Sequence, residues 1–106
     1  MNADDLRARI AAAKSATAQL AAVVAEGGRD ALVWQQRLRQ IAADLNVTDA
    51  PERQVLDAAR ERFDSLYAGG RNFSDFHLWR TDPAERITVN ERLSALTEQL
   101  SKLLHD

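Results

Sequence analysis

Glycine and proline are rare in this chain and divide it into pieces of helical length. Both residue types interrupt regular structure, glycine through its conformational freedom and proline through its fixed φ angle and missing N–H. The four glycines and two prolines occur at Gly27-Gly28, Pro51, Gly69-Gly70 and Pro83. They separate four long segments and one short segment, residues 71–82. This spacing predicts four helices joined by short connections.

Apolar residues recur every three or four positions in each long segment, which places them on one face of a helix. The first face, near residues 3–26, contains Leu6, Ile10, Ala13, Thr17, Leu20 and Val24, and the second contains Trp34, Leu38, Ile41 and Leu45. The third contains Val55, Leu56, Ala59, Phe63, Leu66 and Tyr67, and the fourth contains Val89, Leu93, Leu96, Leu100 and Leu103. The first face is rich in alanine, which allows a partner helix to approach closely.

Capping signals mark where the later helices begin and end. Asp49 before Pro51 and Glu52 predicts an N-cap side chain at the start of the third helix, and Gly69 predicts a left-handed residue at its end. The last helix has two possible starts, because Asp82-Pro83-Ala84-Glu85 and Thr88-Val89-Asn90-Glu91 both form capping boxes. The pattern does not choose between them.

These features predict an all-α fold. We expect a single domain over residues 1–106, an antiparallel bundle of about four helices with an aromatic-rich connection before the last helix. A chain of this length buries about 60–70% of its unfolded surface, which is enough for one core. A long two-helix hairpin is the alternative.

Composition argues against several functional classes. The chain has no cysteine and only two histidines, and neither Gly-Gly pair belongs to a phosphate-binding loop. We therefore expect no enzymatic activity, no metal and no cofactor. The net charge of −2 makes nucleic acid an unlikely partner. No export signal or long apolar run is visible, so a cytoplasmic protein without a membrane partner is expected.

The short segment 71–82 contains three of the six aromatic residues, Phe73, Phe76 and Trp79. Their spacing of three would place them on one side of a helical or 3₁₀ turn, although residues 76–79 could equally form a short extended piece. One interpretation is a lid whose aromatic rings close the end of the bundle, with Asp75 capping a turn.

The other interpretation of this segment is a recognition surface. Aromatic and arginine side chains dominate protein-binding hot spots, and a rigid scaffold commonly presents them on a loop. Both interpretations hold together if Phe73 and Phe76 face the bundle while polar groups project outward. The predicted partner-binding residues are Arg71, Asn72, Asp75, His77, Trp79 and Arg80. Asp75 and His77 alone provide fewer ligands than a zinc site requires.

A short motif precedes the last helix. It consists of Gly70, Phe73, Ser74, Asp75 and Phe76, ahead of a helix with Asn90, Leu93, Leu96 and Leu100. With this motif, the region around residues 60–104 resembles a family of small, uncharacterised, all-helical bacterial proteins. In that family a helix ends in a glycine-containing turn, followed by a bulky apolar residue, Asn or Ser, Asp and another apolar residue. The chain departs from the family at Arg71 and Asn72, where small residues or methionine are common.

The resemblance implies a domain similar to the immunity proteins of bacterial toxin systems. We therefore expect a non-catalytic protein that binds a cognate toxin and covers its active site through residues 71–80 and neighbouring helix surfaces. One alternative is a nucleic-acid-binding or regulatory module that uses Arg29, Arg37 and Arg39. Another is a self-associating protein, possible as a homodimer, in which a second copy completes the apolar faces of the first and last helices.

Overall fold

The computed structural model describes residues 2–105, which form four α-helices. The helices are α1 (Ala3–Ala25), α2 (Leu32–Leu45), α3 (Glu52–Ser65) and α4 (Pro83–His105). Two short 3₁₀ turns, Gly28–Ala31 and Phe73–Asp75, precede α2 and α4 respectively. No strand is present between residues 2 and 105. The predicted all-α bundle is therefore confirmed, and each helix occupies one of the segments between the glycines and prolines.

Contacts between α2 and α3 show that these helices run in opposite directions. Arg37 near the start of α2 donates to the carbonyl oxygen of Ser65 at the end of α3 (3.4 Å). Farther along α2, Asp44 forms an ion pair with Arg62 (2.5 Å). Increasing residue numbers on α2 thus meet decreasing numbers on α3, as the short connection between them requires.

The core is one continuous cluster of side chains from all four helices and from the segment before α4. Small residues occupy several central positions, so the helices approach closely, as the alanine-rich face of α1 predicts. The buried polar residue Thr17 donates its hydroxyl to the carbonyl oxygen of Ala13 (2.7 Å). The larger buried members are Leu20, Val23, Val24, Leu38, Ile41, Leu45, Val55, Leu56, Phe63, Leu66, Phe73, Leu78, Leu93, Leu96, Leu100 and Leu104.

The predicted cap of α3 is wrong. The N-cap residue is Pro51, whose side chain cannot accept a hydrogen bond, and no side chain caps this helix. A capping side chain must stand at the N-cap position to reach the N–H groups of the first turn. Asp49 lies two residues too early. The carboxylate of Glu52 at the helix start instead pairs with Arg7 of α1 (3.0 Å).

The start of α4 is the first of the two predicted capping boxes. The carboxylate of Asp82 accepts a hydrogen bond from the backbone N–H of Glu85 (2.9 Å), and α4 begins at Pro83. Thr88 lies inside the helix and donates its hydroxyl to the carbonyl oxygen of Ala84 (3.0 Å). The second box is therefore part of the helix body.

Two residues predicted to be in the core, both near helix ends, are less buried than expected. Tyr67 is 37% exposed because α3 already ends at Ser65, so Tyr67 no longer follows the helical stripe. Gly69 has the predicted left-handed conformation (φ +87°). At the end of α4, Leu104 is buried, whereas Leu103 is only partly buried.

The last turn of α4 is tied to α3 through His105. Its Nδ1 lies 2.7 Å from the carbonyl oxygen of Ser101, and its Nε2 lies 2.6 Å from the carboxylate of Asp64. The hydrogen bond to the Ser101 carbonyl and the adjacent Asp64 raise the pKa of His105 above its ordinary value of 6.5, against the opposing effects of partial burial and of nearby Arg60. The folded protein therefore favours the protonated imidazole more than the unfolded chain does.

We expect this contact to make stability depend on pH. Because the pKa of His105 is higher in the folded than in the unfolded chain, its stabilising contribution is full below about pH 6.5. That contribution is lost as the pH rises through the folded-state pKa. Urea unfolding gives the free energy of unfolding of the natural protein and of His105→Gln at each pH. We expect the difference between these two free energies to become smaller as the pH rises. A constant difference would contradict the prediction.

None of the helices within residues 2–105 is both long enough and apolar enough to cross a membrane.

Candidate functional site

Residues 71–75 form a compact turn whose side chains hydrogen-bond to its own backbone. The Asn72 side chain accepts a hydrogen bond from the backbone N–H of Ser74 (2.9 Å), and the Asp75 carboxylate accepts one from the backbone N–H of Asn72 (3.1 Å). This reciprocal pair is a capping box around the 3₁₀ turn Phe73–Asp75. The prediction that Asp75 caps a turn is confirmed. Asn72, expected to project, is half-buried because its amide is used in this box.

Phe73 is the centre of an aromatic cluster that fixes the turn to the bundle. Its ring is 4% exposed and lies 5.3 Å from Trp34 of α2, 6.1 Å from Tyr67 and 5.8 Å from Phe76, centroid to centroid. The Phe73 and Phe76 rings are nearly parallel, at 7°. The backbone N–H of Phe73 also donates to the carbonyl oxygen of Leu66 (2.8 Å). The expected closure of the bundle by aromatic rings is thus present.

The backbone after this turn is held by Asn90 of α4. The Asn90 side-chain oxygen accepts from the N–H of Leu78, and its nitrogen donates to the carbonyl oxygen of Leu78, both at 2.8 Å. The same nitrogen lies 2.8 Å from the carbonyl oxygen of Arg86. One amide therefore satisfies both main-chain groups of Leu78, whose side chain is fully buried.

Gly27 sets how closely this segment approaches the end of α1. A β-carbon at this position would lie 3.0 Å from Ala31, 3.1 Å from the ring of Phe76 and 3.3 Å from Leu78. These distances are shorter than ordinary van der Waals contact, so the hydrogen of glycine makes the close packing possible.

Trp79 is exposed, in contrast to the buried ring of Phe73 in the same segment. Its indole is 66% exposed, and the guanidinium of Arg86 lies 4.0 Å from the ring centroid. Of the two alternatives for this segment, the single helical or 3₁₀ turn that would place Phe73, Phe76 and Trp79 on one side is not found, and the extended alternative for residues 76–79 is closer to the structure. The 3₁₀ turn ends at Asp75, and the extended backbone of Phe76 starts a stretch without regular structure, which breaks the spacing of three.

Arg80 follows Trp79 and is more constrained than the sequence suggested. Its guanidinium forms an ion pair with Glu26 at the end of α1 and donates to the carbonyl oxygen of Trp79 (2.8 Å). Arg86 in turn donates to the carbonyl oxygen of Arg80 (3.0 Å). Arg80 was expected to project from the loop, but only 27% of its side chain is exposed because it bridges to α1.

A surface groove of about 740 Å³ brings most of the predicted residues together. Of the six predicted partner-binding residues, only Arg80 lies outside it. The groove is open and has mixed polar and aromatic walls. Its lining consists of Gly27, Asp30, Trp34, Gly70, Arg71, Asn72, Asp75, Phe76, His77 and Trp79.

The side chains of Asp75 and His77 form no hydrogen bond with each other. The Nδ1 atom of His77 lies 3.4 Å from the backbone oxygen of Asp75, whose carboxylate is used by the N–H of Asn72. Across residues 2–105, no three histidine or carboxylate side chains converge on a point where they could hold a metal ion.

The arginines of the nucleic-acid alternative differ in their surroundings. Arg37 lies 5.4 Å from the ring centroid of Trp34 and is bonded to the end of α3. Arg29 belongs to the 3₁₀ turn before α2, and Arg39 lies two residues after Arg37, on a different side of the helix. The three side chains therefore do not form one basic stripe.

The apolar faces of α1 and α4 pack against each other within one chain. Leu20 and Val24 on α1, and Leu96 and Leu100 on α4, all belong to the common core. A second copy is thus not required to cover them.

Sequence reasoning missed several residues that build this site. Asn90 was seen only as part of a motif, although an amide between the apolar positions Val89 and Leu93 signals a buried hydrogen bond. Gly27 was interpreted only as a helix boundary. Asp30 and Trp34 carried no local signal, because they join the groove only through the path of the segment that follows α3.

A scan against protein-family models finds no match to this chain. Comparisons with curated proteins and with solved structures also find no similar protein.

Proposed function

We propose that this protein is a non-catalytic module that binds another protein through residues 71–80. The observation that carries the proposal is the exposed indole of Trp79, 66% accessible and stacked with Arg86. Tryptophan and arginine are the residues most enriched in binding hot spots. The adjacent groove, with its mixed polar and aromatic lining, would form the remainder of the contact surface.

The way in which the segment is built supports this proposal. Phe73 and Leu78 are buried, and Asn90 binds both main-chain groups of Leu78, so the segment is anchored to the bundle at two points. Core packing explains these residues, but it does not explain Trp79, which contributes little burial. An exposed aromatic residue on an anchored segment is typical of a surface that meets a partner without rearrangement.

The partner class that we propose is a bacterial toxin, which makes the chain a cytoplasmic immunity protein. The support is the resemblance of residues 60–104 to proteins of that kind. Such a protein would act by covering the active site of its toxin, with the exposed Trp79 at the centre of the interface.

The test is co-expression with the product of the gene immediately upstream, followed by gel filtration and measurement of the dissociation constant. We expect a stable complex in which Trp79→Ala weakens binding by about 2 kcal/mol or more, which is about thirtyfold. The matched control is Val47→Ala, because Val47 is also an exposed apolar residue but lies just after the end of α2, outside residues 71–80. Absence of a complex would refute the toxin assignment, and equal effects of the two variants would place the interface elsewhere.

A further inference from the structure

The groove beside Trp79 contains charges that the protein itself does not neutralise. Asp30, Arg71 and Asp75 all line it. Among residues 2–105, Asp30 and Arg71 take part in no ion pair. One carboxylate oxygen of Asp75 accepts from the backbone N–H of Asn72, which leaves the other without a backbone donor from the turn. The groove therefore has two carboxylates with free acceptor capacity.

The aromatic walls of the same groove already bind guanidinium groups of this chain. Arg37 lies 5.4 Å from the ring centroid of Trp34, and Arg86 lies 4.0 Å from that of Trp79. An indole ring attracts cations on both of its faces. Trp79 is 66% exposed with Arg86 against its ring, so it keeps accessible indole surface, whereas the Trp34 ring also packs against Phe73 (5.3 Å). Both tryptophans line the groove together with Asp30 and Asp75.

We propose that this groove binds an arginine side chain on the surface of the protein partner. The inference rests on the proposed function for the existence of that partner and adds the chemistry of its contact. A guanidinium can pair with the carboxylate of Asp30 through two N–H groups while its flat face lies on an indole. Lysine fits less well, because an ammonium group has neither the fork of donors nor the planar face.

Arg71 provides an internal check on this proposal. Its positive charge lines the same groove and repels an incoming guanidinium, so it weakens the binding of an isolated arginine. If the groove were instead an anion site, Arg71 would be its main binding residue. The two possibilities therefore predict opposite effects of Arg71→Ala.

The experiment is an NMR titration of the full chain with N-acetyl-arginine amide at constant ionic strength. The chain has only two tryptophans, so their two indole N–H signals report on the groove directly. N-acetyl-citrulline amide, which has the same shape without the charge, is the control probe. We expect saturable shifts with a dissociation constant on the order of 10 mM for the arginine probe, and none for citrulline.

Variants locate the binding. We expect Asp30→Asn to weaken binding about threefold, and Asp49→Asn, an exposed aspartate outside the groove, to leave it unchanged. Arg71→Ala should bind the probe at least as tightly as the natural protein. Non-saturating shifts, equal shifts with citrulline, or a loss of binding in Arg71→Ala would each overturn the inference. These outcomes do not depend on the upstream gene product, so they are distinguishable from failure of the toxin complex.

Discussion

Replacing Phe73 by alanine is expected to lower the free energy of unfolding by about 3–5 kcal/mol. The ring is almost completely buried and contacts three other aromatic rings, from Trp34, Tyr67 and Phe76. Its removal leaves a cavity beside these rings and removes their contacts with Phe73. Urea denaturation followed by circular dichroism measures the change. The helices should remain, with a lower denaturation midpoint.

Trp79→Ala is the matched control for Phe73→Ala, because it removes a larger ring from the same segment. Trp79 is mostly exposed, so its loss should cost less than about 1 kcal/mol, mainly from the contact with Arg86. The two variants therefore distinguish Phe73, which stabilises the segment, from Trp79, which the segment exposes to solvent. Similar losses of stability for the two variants would contradict this division.

Asn90→Ala is expected to destabilise the protein by about 2–4 kcal/mol. The substitution leaves both the N–H and the carbonyl oxygen of Leu78 without their partner, in a region that is partly buried. A buried polar main-chain group without a partner costs about 1–3 kcal/mol. Alanine is a better helix former than asparagine, which offsets less than 1 kcal/mol of this loss.

Hydrogen exchange gives a second measurement on Asn90→Ala that isolates the mechanism. The amide proton of Leu78 should lose its protection in the variant. Amides in the middle of α1 should still exchange only through global unfolding, so their protection should fall only as far as the overall stability does. Asn46→Ala is the control, because Asn46 also donates to a backbone carbonyl (Ala42, 2.9 Å) but at an exposed helix end. Retained protection at Leu78 would show that the amide does not hold this backbone.

The helices could be predicted from local sequence because their causes are local. The glycines and prolines lie at helix starts or in the connections, with Pro51 before α3 and Pro83 at the start of α4. Asp82 caps α4 through a residue three positions away. The errors also have local causes. The expected cap at Asp49 failed because Pro51 occupies the capping position, and Tyr67 left the core because α3 ends before Gly69.

The groove could be predicted only in part, since three of its ten lining residues, Gly27, Asp30 and Trp34, come from a distant part of the sequence. The spacing of Asn72 and Asp75 indicates a capped turn, and the aromatic content of residues 71–82 indicates an unusual segment. Trp34 and Asp30 join that segment only because the chain folds back after α3. Contacts between residues so far apart in the sequence carry no periodic signal, so neither the groove nor its charges are apparent before the fold is known.

The stacking of Arg86 on Trp79 has a consequence for the entropy of binding. A free surface tryptophan samples several rotamers, and a partner must select one of them at a cost of about 0.5–1.5 kcal/mol. Here Arg86 already restricts the ring, and Arg86 is itself held by the carbonyl oxygen of Arg80. The conformational entropy of the indole is therefore lost when the chain folds rather than when it meets a partner. When a partner contacts a surface that is already ordered, less of the favourable contact free energy is offset by lost side-chain entropy, so the binding is tighter.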